Sequence, residues 1–177
     1  MQRKTYVIAC IVLLVLGIGA RLLPHLPNAT PITALAFAGS LYFGKRMGLF
    51  LPLAALFISD AIIGFYDIRI MASVYISFAL IGVLSSVQGK DRSVPATGLL
   101  VLASPILFFI ITNFAVWMFS PWYEKSFTGL MYAYELAIPF LRNMMIGDIL
   151  YTSLLLGVLC VGIRTLLRKQ RLLALAT

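Results

Sequence analysis

Apolar residues run along this chain in long unbroken blocks, separated by short polar or proline-containing stretches. Runs such as Val7–Leu16 and Ile149–Ile163 show no alternation of apolar and polar positions, so they predict helices rather than barrel strands. The first block predicts a helix from about Thr5 to Leu23, stopped by Pro24. Thr30-Pro31 looks like a capping residue followed by proline at the first helical position, opening a second helix to about Phe43 with Gly44 as its stop. That helix is short: about 13 residues rise roughly 20 Å, against a hydrocarbon core of about 30 Å. It must be sunk in a bundle, or the loop before it must dip into the membrane. Further spans are predicted at about Met47–Phe65, Ile70–Val87 and Pro95–Phe119, the last carrying Pro105 as an expected kink. After the aromatic-rich stretch Ser120–Ala137, within which Thr128–Leu136 reads as a short interfacial helix, the last span runs from near Pro139 to about Leu167.

Composition agrees with this pattern. Hydrophobic residues make up 62% of the 177 and charged residues 11%, where soluble domains carry about 25% charged. Too little polar material exists to cover a water-facing surface, and in lipid every backbone N–H and C=O must be satisfied internally. The expectation is an all-α integral membrane bundle of about six transmembrane helices, one domain over residues 1–177. The opening Met-Gln-Arg-Lys and Tyr6–Ala20 also resemble a signal peptide, but the apolar run is long for one and an N-terminal anchor helix accounts for it as well.

The net charge of +8 raises nucleic acid as a partner, and position argues against it. The basic residues sit between apolar runs, where they act as topology signals and headgroup contacts. With the N-terminus inside, Arg3, Lys4, Lys45, Arg46, Lys90, Arg92, Arg164, Arg168, Lys169 and Arg171 fall on the cytoplasmic side. Arg21, Arg69, Lys125 and Arg142 fall outside. Both termini are therefore expected in the cytoplasm, in a multi-pass protein of a bacterial cytoplasmic (inner) membrane.

On that topology the remaining polar groups gather toward the outer side. Arg21 ends the first span and Asn28 lies in the loop after it. Asp60 lies late in the third, with Tyr66, Asp67 and Arg69 just beyond. Asn113 and Trp117 lie in the outer half of the fifth, Glu135 before the sixth, and Arg142, Asn143, Asp148 and Tyr151 along it. Ionisable groups within a membrane are costly and by default face the bundle interior, where they mark a ligand or ion site. Arg21, Asn28, Asp60, Tyr66, Asn113, Trp117, Glu135, Arg142, Asn143, Asp148 and Tyr151 are thus the candidate lining of one outward-facing cavity. It would be closed by the Pro24–Pro31 loop and the Ser120–Ala137 segment. The plainer alternative pairs Asp60 and Asp148 with Arg21 and Arg142 as interhelical glue, lets Arg21 and Arg69 snorkel, and assigns Trp117, Trp122 and Tyr123 to an interfacial belt. Small residues at Gly17, Ala34 and Ala38 permit close helix approach, either inside the bundle or against a partner.

The sequence has no G-x-x-x-x-G-K-[ST], no H-E-x-x-H, no G-x-S-x-G and a single histidine, His25. Neither an ATPase nor a metal centre is expected, nor any cofactor. Cys10 and Cys160 lie in apolar runs and read as buried thiols.

The run Pro27-Asn28-Ala29-Thr30-Pro31-Ile32-Thr33-Ala34-Leu35-Ala36, with Gly44-Lys45-Arg46-Met47-Gly48 and Ser59-Asp60-Ala61-Ile62-Ile63-Gly64, resembles the substrate-binding S components of energy-coupling factor (ECF) transporters. It looks closest to an uncharacterised branch of predicted transport proteins related to them. The resemblance is specific over about residues 20–70. It implies a six-helix, S-component-like binder, not an enzyme, that captures a small water-soluble, vitamin-like nutrient near the outer surface. It also implies docking on a membrane scaffold subunit driven by separate ATPase subunits. The A-x-x-x-A docking pattern that many S components carry on the first helix is not evident, which leaves Gly17, Ala34 and Ala38 as the candidate contact. The alternatives are a structural or assembly subunit without a ligand and an intramembrane enzyme using the acids.

Overall fold

The computed structural model describes residues 3–87 and 93–175. Six helices account for nearly all of them: α1 Arg3–Leu22, α2 Ile32–Ala38, α3 Lys45–Ile63, α4 Ile68–Val87, α5 Val94–Phe119 and α6 Phe127–Leu175. Five of these are long and apolar enough to cross a membrane, in keeping with a multi-pass membrane protein. The polar connection expected at 88–93 lies outside the described residues except for Ser93. The Ser93 hydroxyl accepts the Ala96 amide at 3.3 Å and caps α5, whose Pro95 falls in the first turn.

The exception is α2. Its seven residues are all buried, most of them completely, and it continues through Gly39–Phe43 as a π-helical segment. The walls stand around it in the order α1, α3, α4, α5, α6, with α1, α3, α4 and α6 touching it directly. Because α2 meets only protein, its stripe of Ala34, Ala36 and Ala38 serves close packing, and Leu35 and Phe37 fill the space between walls. The expected cap does not form: Pro31 holds the cap position and no side chain bonds there. Gly44, at φ 101°, makes the reversal into α3, a conformation costly for any residue with a Cβ.

Close approach also decides the contact of α2, α3 and α4. A Cβ at Gly48 would lie 2.8 Å from the Ser40 Cβ and 3.0 Å from the Ala36 carbonyl oxygen. The Ser40 hydroxyl donates to the Ser85 carbonyl at 2.9 Å, and the Ser85 hydroxyl reaches the Ala36 carbonyl at 3.1 Å. Buried hydroxyls thus find backbone carbonyls on the facing element where the helices are tightest.

Two expectations about elements are corrected. No break separates an interfacial helix from the last span: α6 is continuous for 49 residues with Pro139 inside it. Its apolar part, Phe127–Gly162, holds 36 residues, about 54 Å at 1.5 Å per residue, well beyond a core of roughly 30 Å. The segment taken as lying on the interface is therefore the start of a long helix, and it packs against α5, where the Tyr134 hydroxyl donates to the Ile110 carbonyl at 2.7 Å. The second correction concerns the small residues. Gly17, Ala34 and Ala38 are buried, and a Cβ at Gly17 would meet Leu35 Cδ1 at 2.5 Å. They pack the chain against itself and present no face to a partner.

Side-chain ties fix which ends lie together. The Tyr6 hydroxyl donates to the Phe43 carbonyl at 3.0 Å, joining the start of α1 to the end of the π segment, near Lys45. At the opposite end, Arg21 meets α3 and the Arg69 guanidinium lies 5.1 Å over the Phe119 ring.

Candidate functional site

Arg21 closes the last turn of α1, and its guanidinium crosses to the last turns of α3. Nη2 lies 2.7 Å from Asp60 Oδ1, and Nη1 donates to Ser59 Oγ at 2.7 Å. The other carboxylate oxygen accepts the Tyr75 hydroxyl of α4 at 2.9 Å. Asp60 is 2% exposed while the Arg21 side chain keeps 17%, so the acid is enclosed and the cation faces open space. A buried carboxylate is stable only when paired and hydrogen-bonded, and here α1 and α4 supply its partners.

That open space is a cavity of about 250 Å³. Arg21, His25, Asn28, Thr30 and Tyr66 form its polar side. Leu56, Val74, Phe78, Phe108 and Met144 form its apolar side. The 23–31 loop covers it through its own bonds: the Ala29 amide donates to the Leu26 carbonyl at 2.9 Å and the Thr30 amide to the Asn28 carbonyl at 3.1 Å. Asn28 adopts φ 65°, a left-handed conformation that asparagine tolerates better than most residues. His25 Nδ1 lies 2.7 Å from the Leu23 carbonyl, which holds the ring against the loop.

Tyr66 is set by the turn that follows α3. Asp67 Oδ1 accepts the Arg69 amide at 2.9 Å, and Oδ2 pairs with Arg69 Nη2 at 2.9 Å. These bonds from Arg69 hold the Asp67 carboxyl down to about 2, so the turn stays charged and closed at neutral pH. Desolvation, then the nearby Asp60 carboxylate, pushes the Tyr66 phenol up to about 12. Tyr66 therefore presents a protonated hydroxyl to the cavity.

The candidate set is divided by the structure. Arg21, Asn28 and Tyr66 line the cavity and Asp60 stands behind Arg21. Asn113 donates to the Phe109 carbonyl at 2.8 Å within its own helix. Trp117 Nε1 donates to the Glu124 carbonyl at 2.8 Å, and the Lys125 ammonium bonds the Trp117 carbonyl, closing the α5–α6 turn. Glu135 and Arg142 are exposed on α6; Asn143 and Tyr151 are half-buried, and none of the four lines the cavity. Asp148 is buried beside Thr33 of α2. Of the two ion pairs weighed as glue, Arg21–Asp60 forms, and among the described residues Asp148 has no basic partner. Ser120–Ala137 contributes no lining residue. Tyr75 was not singled out from the sequence; a tyrosine inside an apolar span needs a partner for its hydroxyl, and that need is the signal that finds it.

A second, larger hollow of about 710 Å³ lies between the π segment, α5 and α6, with Tyr42, Val101, Ile149, Thr152 and Leu156 among its walls. Its lining is overwhelmingly apolar. Among the described residues no group of three or more His, Cys, Asp and Glu side chains could hold a metal ion.

Comparison with known proteins gives one relation. A family model described as a family of unknown function (DUF6580) matches residues 1–169. No curated protein and no solved structure matches the chain.

Proposed function

The chain belongs to the DUF6580 family, and from the geometry at the Arg21 end we propose that it is a substrate-binding membrane subunit for uptake of a small water-soluble nutrient. The observation that carries the reading is the cavity itself: an arginine braced by Asp60 and Ser59, facing a small space with a polar loop on one side and aromatic rings on the other. Ligand sites combine a mostly apolar lining with a few fixed polar groups in this way. Arg21 offers N–H groups to an acceptor oxygen of the ligand. Asp60 neutralises the guanidinium, so the site favours an uncharged or zwitterionic molecule over a strong anion. Phe78 and Phe108, 5.2 Å apart between ring centroids, offer a surface for a flat body. At about 250 Å³ the space is below the usual 300–1,000 Å³ of drug-sized sites, which suits a vitamin fragment or metabolite and not a lipid.

In this reading the Arg21 end faces outward and both termini are cytoplasmic, in a bacterial inner membrane. Energy for uptake comes from ATPase subunits acting through a membrane scaffold, in the manner of the ECF-type transporters the sequence resembles. The scaffold contact lies outside the Gly17, Ala34 and Ala38 stripe, whose atoms are spent inside the bundle.

Native mass spectrometry of the protein released from nanodiscs tests the reading. Wild type is expected to carry a small-molecule adduct, and Arg21→Gln or Tyr66→Phe to weaken its retention tenfold or more with helicity unchanged. Tenfold corresponds to about 1.4 kcal/mol. A bare wild-type spectrum, or adducts that persist equally in both variants, would move the protein to the class of assembly subunits.

A further inference from the structure

The last two helices are tied together at their turn and stand apart at the other end. Near the turn, Trp117 Nε1 donates to the Glu124 carbonyl and the Tyr134 hydroxyl to the Ile110 carbonyl. Farther along, the hollow of about 710 Å³ opens between residues 94–102 of α5 and 149–160 of α6, with Leu41 and Tyr42 of the π segment as its third wall. Gly98 and Gly157 lie on the two helical walls, and a Cβ at either would meet no atom within 4 Å. Glycines in membrane helices ordinarily bring backbones together. Here they widen a groove instead.

The length of the groove matches one leaflet. From Ile149 to Cys160 the helix rises about 16 Å at 1.5 Å per residue, roughly half of a hydrocarbon core of about 30 Å. A partner helix crossing the membrane would need a surface of full depth, and the groove stops at Ile149 and Leu102. Its walls are largely aliphatic, which suits a hydrocarbon tail better than a water-soluble molecule.

The groove starts from the basic end of the molecule. Tyr42, on its wall, precedes the exposed Lys45 and Arg46 by one turn of chain. Arg164 is exposed and stands four residues after Cys160, so the two share a face of α6. A helical side chain lies back over the preceding turn, which directs Arg164 toward the mouth. Among the described residues no acid pairs with these three cations, since both ion pairs lie at the opposite end.

We propose that this groove is a binding site for an anionic phospholipid, with one acyl tail between α5 and α6 and the phosphate at Lys45 and Arg164. Arginine suits a phosphate through paired N–H donors. The site shares no residue with the Arg21 cavity and stands whether or not that cavity binds a nutrient.

The test uses full-length protein in nanodiscs of equal parts phosphatidylglycerol and phosphatidylcholine, released and stripped of lipid stepwise in native mass spectrometry. Wild type is expected to keep one phosphatidylglycerol after the surrounding lipid has gone. Gly157→Leu and Gly98→Leu fill the groove from opposite walls with no clash at the Cβ, and each should lower that retention by about tenfold or more. Lys45→Gln combined with Arg164→Gln should leave a lipid bound but lower the preference for phosphatidylglycerol by about fivefold or more. A wild type that loses all its lipid, or keeps the two lipids equally, overturns the proposal. So do glycine variants that retain lipid as wild type does. A protein subunit held by wild type and lost from both glycine variants would assign the groove to a partner helix and overturn it as well.

Discussion

At the scale of single residues, the Arg21–Asp60 pair carries the largest local consequence. Removing one partner of a buried pair leaves the other uncompensated and typically costs 3–5 kcal/mol. Asp60→Asn is therefore expected to destabilise the protein by about 3 kcal/mol, read as a lower unfolding midpoint in nanodiscs. Replacing both residues with leucine should recover much of that loss, because no charge is then left without its partner. Equal losses in the single and double variants would contradict this. Arg21, Asn28, Asp60 and Tyr66 were legible in the sequence because charged or turn-forming residues stand out against apolar surroundings. Arg142 misled for the same reason. Its depth along the chain could be read, but the side of α6 it occupies could not, since that depends on where α2 and α5 pack. Glu135 and Arg142, seven residues apart, share the exposed side of α6.

At the scale of elements, four long helices end within about two residues of where hydrophobic runs place them, because water contact stops each apolar block. The second and sixth were harder to read. The Pro139 ring removes one backbone donor, yet helices in lipid tolerate this when neighbours and side chains satisfy what is freed, so α6 runs on. The π segment after α2 follows from packing rather than pattern: Gly39 and Ser40 let the chain pass Met47 and Gly48 at contact distance. Gly48→Leu should accordingly destabilise the bundle by about 1–3 kcal/mol, the usual range for overpacking. Gly19→Leu, which meets no atom within 4 Å at its Cβ, should be nearly neutral. Thermal unfolding of the two variants side by side checks the pair.

At the scale of the whole molecule, the two ends differ in chemistry. Lys4, Lys45 and Arg46 lie at one, while Arg21, Asp60, Asp67 and Arg69 gather at the other with the cavity. Positive residues favour the cytoplasmic side. Single cysteines placed in a background without Cys10 and Cys160 should report it in intact cells. One at Ser93 should resist an impermeant thiol reagent and one at Glu124 should label; the reverse would invert the orientation. The six-helix count was legible from the alternation of apolar and polar stretches. The division into five walls and one enclosed helix was foreshadowed only by the shortness of α2.

That enclosure bears on how the protein is made. Transmembrane helices normally enter the bilayer one after another, each able to rest in lipid until its neighbours arrive. Helix α2 is too short to rest there alone, and its surface is shaped for contact with α3, α4 and α6. The chain is synthesised from α1 onward, so α2 leaves the ribosome before three of the four helices that shelter it exist. Its burial is completed only when α6, made after the other walls, closes over it. Folding of the centre is thereby deferred until α6 has been made, and a chain cut short before α6 would leave the core helix with one side unsheltered.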